Sequence, residues 1–114
     1  MGADQSRTGE EIRGKEMTSA LVFRPLARLE LTEAMEWYEN QRPGLGFELK
    51  DEVNQLLVRI VSNPGQFRRV RGDIRRALLR RFPYAIHFAA EAQTIVVLAV
   101  FHGKRNPRHL EGRI

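Results

Sequence analysis

The chain has 114 residues, 42% of them hydrophobic, with no cysteine and a formal net charge of +5 at pH 7. That length supports one domain around a single core, and the absence of cysteine excludes disulfides and thiolate metal sites. No stretch approaches the roughly 20 apolar residues that span a bilayer, and no apolar signal core precedes Met17, so the sequence predicts a cytoplasmic protein.

Residues 1–19 are polar, carry both signs of charge and lack an apolar stripe. They predict a disordered leader or upstream extension, with Met17 a candidate initiator and residues 20–114 the folded domain. Leu21-Val22-Phe23 predicts a short strand that stops at Pro25, because proline cannot donate to a ladder. From Ala27 the period becomes helical. Ala27, Leu31, Ala34, Met35 and Tyr38 fall on one face, with Glu30, Glu33, Glu36 and Glu39 directed to water. Arg42-Pro43-Gly44-Leu45-Gly46 breaks this helix. A second helix follows with Leu49, Val53, Leu56, Leu57, Ile60 and Val61 at core spacing, and it stops at Asn63-Pro64.

After a basic loop through Asp73 the spacing becomes two-residue, with strands predicted over residues 74–81, 84–89 and 94–101. Tyr84, Ile86 and Phe88 share one face, and Ile95, Val97, Ala99 and Phe101 are assigned to a common face as well. The predicted fold is α+β, in the order β-α-α-β-β-β: an antiparallel sheet with a helical hairpin packed on one face.

Charge is unevenly placed along this pattern. Residues 64–114 hold eleven cations against three acids, a net of +8, whereas residues 20–63 hold five cations against seven acids. Sixteen of the nineteen cations are arginine, which suits bidentate contact with phosphate or carboxylate. Cations gathered at one end of a small fold predict an anionic partner, either nucleic acid or an acidic protein segment.

Three segments carry a family resemblance: Trp37-Tyr38-Glu39-Asn40-Gln41-Arg42-Pro43-Gly44-Leu45-Gly46, Ile74-Arg75-Arg76-Ala77-Leu78-Leu79-Arg80-Arg81-Phe82-Pro83-Tyr84 and Val100-Phe101-His102-Gly103-Lys104-Arg105-Asn106-Pro107. In this order and element context they resemble the RelE/ParE superfamily of toxins from type II toxin–antitoxin systems. The resemblance covers about residues 21–113 and implies a RelE/ParE-like toxin domain over 20–114, partnered by an acidic antitoxin. It also implies one of two targets. RelE-like members cut mRNA on the translating ribosome; ParE-like members poison DNA gyrase without nuclease chemistry. The helix break after Trp37-Tyr38-Glu39 and the position of His102 favour the ParE-like branch. Gly103-Lys104-Arg105 is similar to the last-strand end of the RelE-like nucleases, whose arginine is functional. A third alternative is a degenerate member retained as an interaction module.

RNA cleavage through the 2′-hydroxyl needs a base, an acid and cations for the developing phosphorane charge. For a nuclease the candidates are His102 as acid or base, Arg105 and Arg81 as charge stabilisers, and Tyr84 if its hydroxyl reaches substrate. The alternatives are that His102 only hydrogen-bonds its turn and that Tyr84 belongs to the core. Phosphate or target contact falls to Arg75, Arg76, Arg80, Arg81, Lys104 and Arg105, against the alternative of a solvated cationic surface. His87 lies mid-strand among apolar residues and is assigned to packing, and Trp37 to the cover of a helix edge. His87, His102 and His109 lack metal-ligand spacing, so neither a metal nor a cofactor is predicted.

Overall fold

The two periodicities resolve, in a computed structural model that describes residues 20–113, into two helices laid across one face of a sheet. The proposed leader, residues 1–19, lies outside the described residues. β1 (Ala20–Phe23) leads into α1 (Pro25–Gln41) and α2 (Leu45–Ser62), followed by β2 (Arg68–Arg71), β3 (Ile74–Leu78), β4 (Tyr84–Glu91) and β5 (Thr94–His102). The α+β class and the helical hairpin agree with expectation. The sheet differs in three ways.

First, it has five strands among the described residues, in the order β1-β5-β4-β3-β2. The basic loop before Asp73 contains β2, an edge strand whose Arg-Arg-Val-Arg sequence has no apolar alternation to announce it. Second, β1 pairs with β5 in parallel, matching Ala20 to Thr94 through Phe23 to Val97. The connection between these two strands runs through the helical hairpin and then β2, β3 and β4, well beyond the dozen or so residues that a parallel pairing needs; the other three pairings are antiparallel.

Third, β5 carries a bulge. His87 faces Ala99 but Phe88 faces Val97, so Leu98 is the extra residue. The expected single face of Ile95, Val97, Ala99 and Phe101 is therefore split. Ile95, Val97 and Val100 join the helix-side core with Ile86, Phe88 and Ala77. Leu98, Ala99 and Phe101 join Ile74, Ala89 and Leu110 on the opposite side, where the 3₁₀ turn Pro107–Leu110 covers part of the sheet.

Strand β3 also ends earlier than expected. The Glu52 carboxylate on α2 accepts the backbone N–H groups of Arg80 and Arg81, which draws the chain off the sheet after Leu78. Leu79 and Phe82 then turn into the helix-side core. The alternation assigned to Arg80 and Arg81 does not apply, because they lie in a bend.

The helix faces follow their spacing: Ala27, Ala34, Leu49, Val53, Leu56, Leu57 and Ile60 are buried. Trp37 departs from it. Its side chain does not cover a helix edge but is 56% exposed, standing edge-on to Tyr38 at 4.9 Å between ring centroids. Two of the glutamates assigned to water are structural as well. Glu39 accepts the N–H groups of Gly44 at 2.8 Å and Gly46 at 2.9 Å, closing the hairpin turn. Gly44 takes a left-handed φ of 90°, and a Cβ on Gly46 would stand 2.7 Å from the Met35 carbonyl oxygen. Gly46→Ala is therefore expected to force the helices apart and lower stability by about 1–3 kcal/mol, as overpacking against backbone does; urea unfolding measures it.

Glu30 is the other. Strand β1 covers only the first half of β5, so the outer edge of β5 would be bare from Leu98 onward. Glu30 fills that gap, accepting the Val100 N–H at 2.9 Å. Arg113 approaches from the C-terminal tail, donating to both Glu30 oxygens at 2.8 and 2.9 Å and to the Leu98 carbonyl at 3.2 Å. The two side chains are only 11% and 12% exposed. One ion pair thus fastens α1, β5 and the tail together.

Candidate functional site

Eight of the eleven cations of residues 68–113 lie in three places. The first is the bend after β3. Arg81 pairs with Glu48 on α2, and Arg42 from the hairpin turn reaches the second oxygen of Glu48 at 3.0 Å. Hydrogen bonds from Arg81 first and Arg42 second hold Glu48 below the usual carboxylate range. Glu48 and Glu52 stand four residues apart on one face of α2, the spacing that lets neighbouring helix side chains act together. They face a groove of about 390 Å³ whose walls include Arg59, Leu78, Arg80 and Arg81. Arg80 has no ion-pair partner among the described residues.

The second place is the end of β5. His102 lies opposite Tyr84 in the sheet register, with ring centroids 6.2 Å apart. Its Nδ1 accepts the Lys104 N–H at 3.1 Å, which leaves the ring proton on Nε2 and holds the imidazole against its own turn. Tyr84 is half-buried and packs toward Tyr38 at 6.1 Å. Arg105 turns away from this pair. Its guanidinium lies 4.8 Å above the Phe101 ring and approaches His109 Nδ1 at 3.5 Å and Glu30 at 3.9 Å.

The four residues considered for nuclease chemistry are therefore brought together only in part. His102 and Tyr84 are neighbours, Arg81 is held by α2, and Arg105 lies over Phe101 beside the tail. Lys104 is exposed in the turn after β5.

The third place is the β2–β3 ribbon. Arg75 donates to the Phe67 carbonyl at 2.7 Å and Arg76 reaches the Gly103 carbonyl at 3.4 Å; neither has a carboxylate partner among the described residues. Arg68 lies opposite Arg76 and Arg69 opposite Arg75. The sequence did not single out Arg68 and Arg69, because their strand was read as a loop.

Beside Arg76, on the face away from the helices, His87 is 2% exposed, its ring 4.6 Å from that of Phe101. The packing role is correct. Burial first, and Arg76 second, push its pKa down to about 4, and its buried Nδ1 has no hydrogen-bond partner among the described residues.

Comparison with known proteins fits this architecture. The family described as the ParE toxin of the type II toxin–antitoxin system parDE matches residues 21–107. A chain of the chromosomal ParDE TA system from P. aeruginosa superposes with a TM-score of 0.65 at 18% identity, covering 75% of this chain and 96% of that one; at that identity the likeness is one of fold. No curated protein matches. No helix among the described residues is long and apolar enough to cross a membrane. With most of its length inside the family match and its fold shared with a ParDE chain, the protein belongs to the ParE toxin family of type II toxin–antitoxin systems.

Proposed function

We propose that this toxin acts on DNA gyrase and is neutralised by an acidic antitoxin that meets its cationic sheet. The observation that carries gyrase over mRNA is the separation of the groups a nuclease would need. Arg81 is committed to Glu48, Arg105 to the Phe101 ring and the tail, and His102 Nδ1 to the Lys104 N–H. In-line cleavage needs its acid, base and charge stabilisers converging on one phosphate. Gyrase poisoning makes no such demand on this chain, because the DNA-cleaving chemistry belongs to the target.

The test runs two assays on one preparation. Purified toxin is expected to stall supercoiling and trap cleaved DNA with gyrase, while mRNA on translating ribosomes stays intact. Cleaved mRNA with unaffected gyrase would overturn the proposal. In that case His102→Ala and Arg105→Ala should each lower cleavage by roughly 10²-fold or more, the scale of a lost acid–base or electrostatic group. Inertness in both assays would favour the interaction-module alternative.

A further inference from the structure

The β2–β3 ribbon is arranged against its own stability. Arg68 faces Arg76 across the ladder, and in the adjacent register Arg69 faces Arg75. Like charges directly opposite each other are destabilising, and two such pairs are consecutive here. None of the four guanidiniums has a carboxylate partner among the described residues, although Arg71 in the same strand is paired with Glu111. Arg75 and Arg76 are nonetheless held in place, donating to the Phe67 carbonyl at 2.7 Å and to the Gly103 carbonyl at 3.4 Å. One such bond positions a guanidinium without exhausting its five donors.

Which anion fits is decided by where the cations point. Successive side chains of a strand take opposite faces. Arg76 stands beside His87 in the register, so it and Arg68 lie on the face away from the helices. Arg75 stands beside Phe88, which belongs to the helix-side core, so it and Arg69 lie on the other face. The rim of the sheet, where β2 is the last strand among the described residues, therefore carries two cations on each side. A row of phosphates on one face would meet one pair and leave the other repelling.

Two facing rows meet both pairs, and the groove of a nucleic-acid duplex is bounded by two such rows. The major groove of B-DNA is about 12 Å wide and admits a two-stranded ribbon, whereas the minor groove is about 6 Å wide. A sheet with its side chains occupies about 10 Å, so the major groove accepts this rim and the minor groove does not. The deep, narrow major groove of duplex RNA excludes it. A single strand would call for aromatic stacking platforms, and residues 68–76 include no aromatic side chain.

We infer that the β2–β3 rim is a binding site for duplex DNA. It enters the major groove with Arg68 and Arg76 on one phosphate row and Arg69 and Arg75 on the other. These contacts are to phosphates, so binding is independent of base sequence. The inference rests on the reading that gyrase is the target, and it makes the toxin a ligand of gyrase-bound DNA as well as of the protein.

The full chain is titrated into a labelled DNA duplex of about 20 base pairs, two helical turns, and followed by fluorescence anisotropy. With four phosphate contacts, log affinity should fall against log salt with a slope of about −3.6, or about 10²-fold from roughly 50 to 200 mM. Arg68→Ser and Arg69→Ser, one from each face, should each reduce the slope by about 1, and the double variant by about 2. The double variant should melt no lower than the wild type, because both positions are exposed and like-charge repulsion has been removed. Arg24→Ser/Lys50→Ser removes the same charge from exposed positions elsewhere and should leave the slope unchanged. With gyrase, the Arg68→Ser/Arg69→Ser variant should need at least about tenfold more protein to trap cleaved DNA.

A slope lowered by only one of the two single variants would overturn the groove site, since one face alone would then carry the contact. Equal losses in the control pair would overturn it too, because net charge would account for the binding. So would tighter binding of an oligothymidine, a duplex RNA or a polyglutamate peptide than of duplex DNA. Absence of any binding would leave the arginines as a guard against strand-to-strand pairing at the edge, and also overturns it. Wild-type toxin and double variant that trap cleaved DNA equally well would sink the DNA site and leave the gyrase reading intact. Duplex binding with the expected slopes, but with gyrase unaffected, would do the reverse.

Discussion

Replacing Glu30 with alanine is expected to lower unfolding stability by about 3–5 kcal/mol, the scale for removing one partner of a buried ion pair. Against a total of roughly 5–15 kcal/mol for a domain of this kind, that is a large fraction. Three losses combine. Arg113 keeps its charge in a site where its side chain is only 12% exposed, the Val100 N–H loses its acceptor, and α1 is no longer tied to the edge of β5. Arg113→Ala should act on the same scale from the other side, because it strands the Glu30 carboxylate and uncaps the Leu98 carbonyl. A double variant, Glu30→Met with Arg113→Met, should lose less than the two single losses together, since an apolar pair leaves no buried charge behind. Urea unfolding of the singles and the double gives the coupling. Additive losses would show that the two side chains act separately and that the tail is not held through this pair.

The second large effect is a dependence on pH carried by His87. Its folded pKa of about 4 lies below the value near 6.5 of a free histidine, with burial the main cause and Arg76 the next. Arg113 lowers it further, while Glu30 opposes them. Between those two values the unfolded chain binds a proton that the folded chain refuses, so stability falls as pH falls. The contribution is complete above about pH 6.5, is lost progressively down to about pH 4, and amounts to about 3 kcal/mol. Equilibrium unfolding at intervals across that window should show the slope. His87→Phe should flatten it, and at pH 7 it should cost little, because it also removes a buried nitrogen that has no partner among the described residues. Carboxylates such as Glu48, held low by Arg81 and Arg42, lose their share only on further acidification, so the range between pH 5 and 6.5 isolates the histidine. An unchanged slope in His87→Phe would place the proton uptake elsewhere.

Both effects lie in side chains whose type was plain in the sequence and whose setting was not. Glu30 follows the outward spacing of Glu33 and Glu36, and helical periodicity cannot show that the strand beside it runs out of partner after Val97. His87 was legible as a packing residue because apolar neighbours surround it in a period-two run, but its position beside Arg76 is a cross-strand relation.

The amino-acid sequence by itself determined the helices, their buried faces, the glycine turn between them, the strands rich in β-branched and aromatic residues, and the concentration of cations in the second half. These are local properties, expressed over a few neighbouring residues as spacing and turn chemistry. Only the tertiary structure decided the parallel pairing of β1 with β5, the bulge at Leu98 that redistributes β5 between two cores, and the strand hidden in Arg68–Arg71. Each depends on which segments meet across the sheet, and an edge strand made of arginines is stabilised by its neighbour rather than by its own pattern. The same holds for the cations. Their number was set by composition, but Glu48, Glu52 and Glu30 fixed where Arg81, the 80–81 backbone and Arg113 lie; Glu111 reaches Arg71 in β2, while Arg68, Arg69, Arg75 and Arg76 have no carboxylate partner among the described residues.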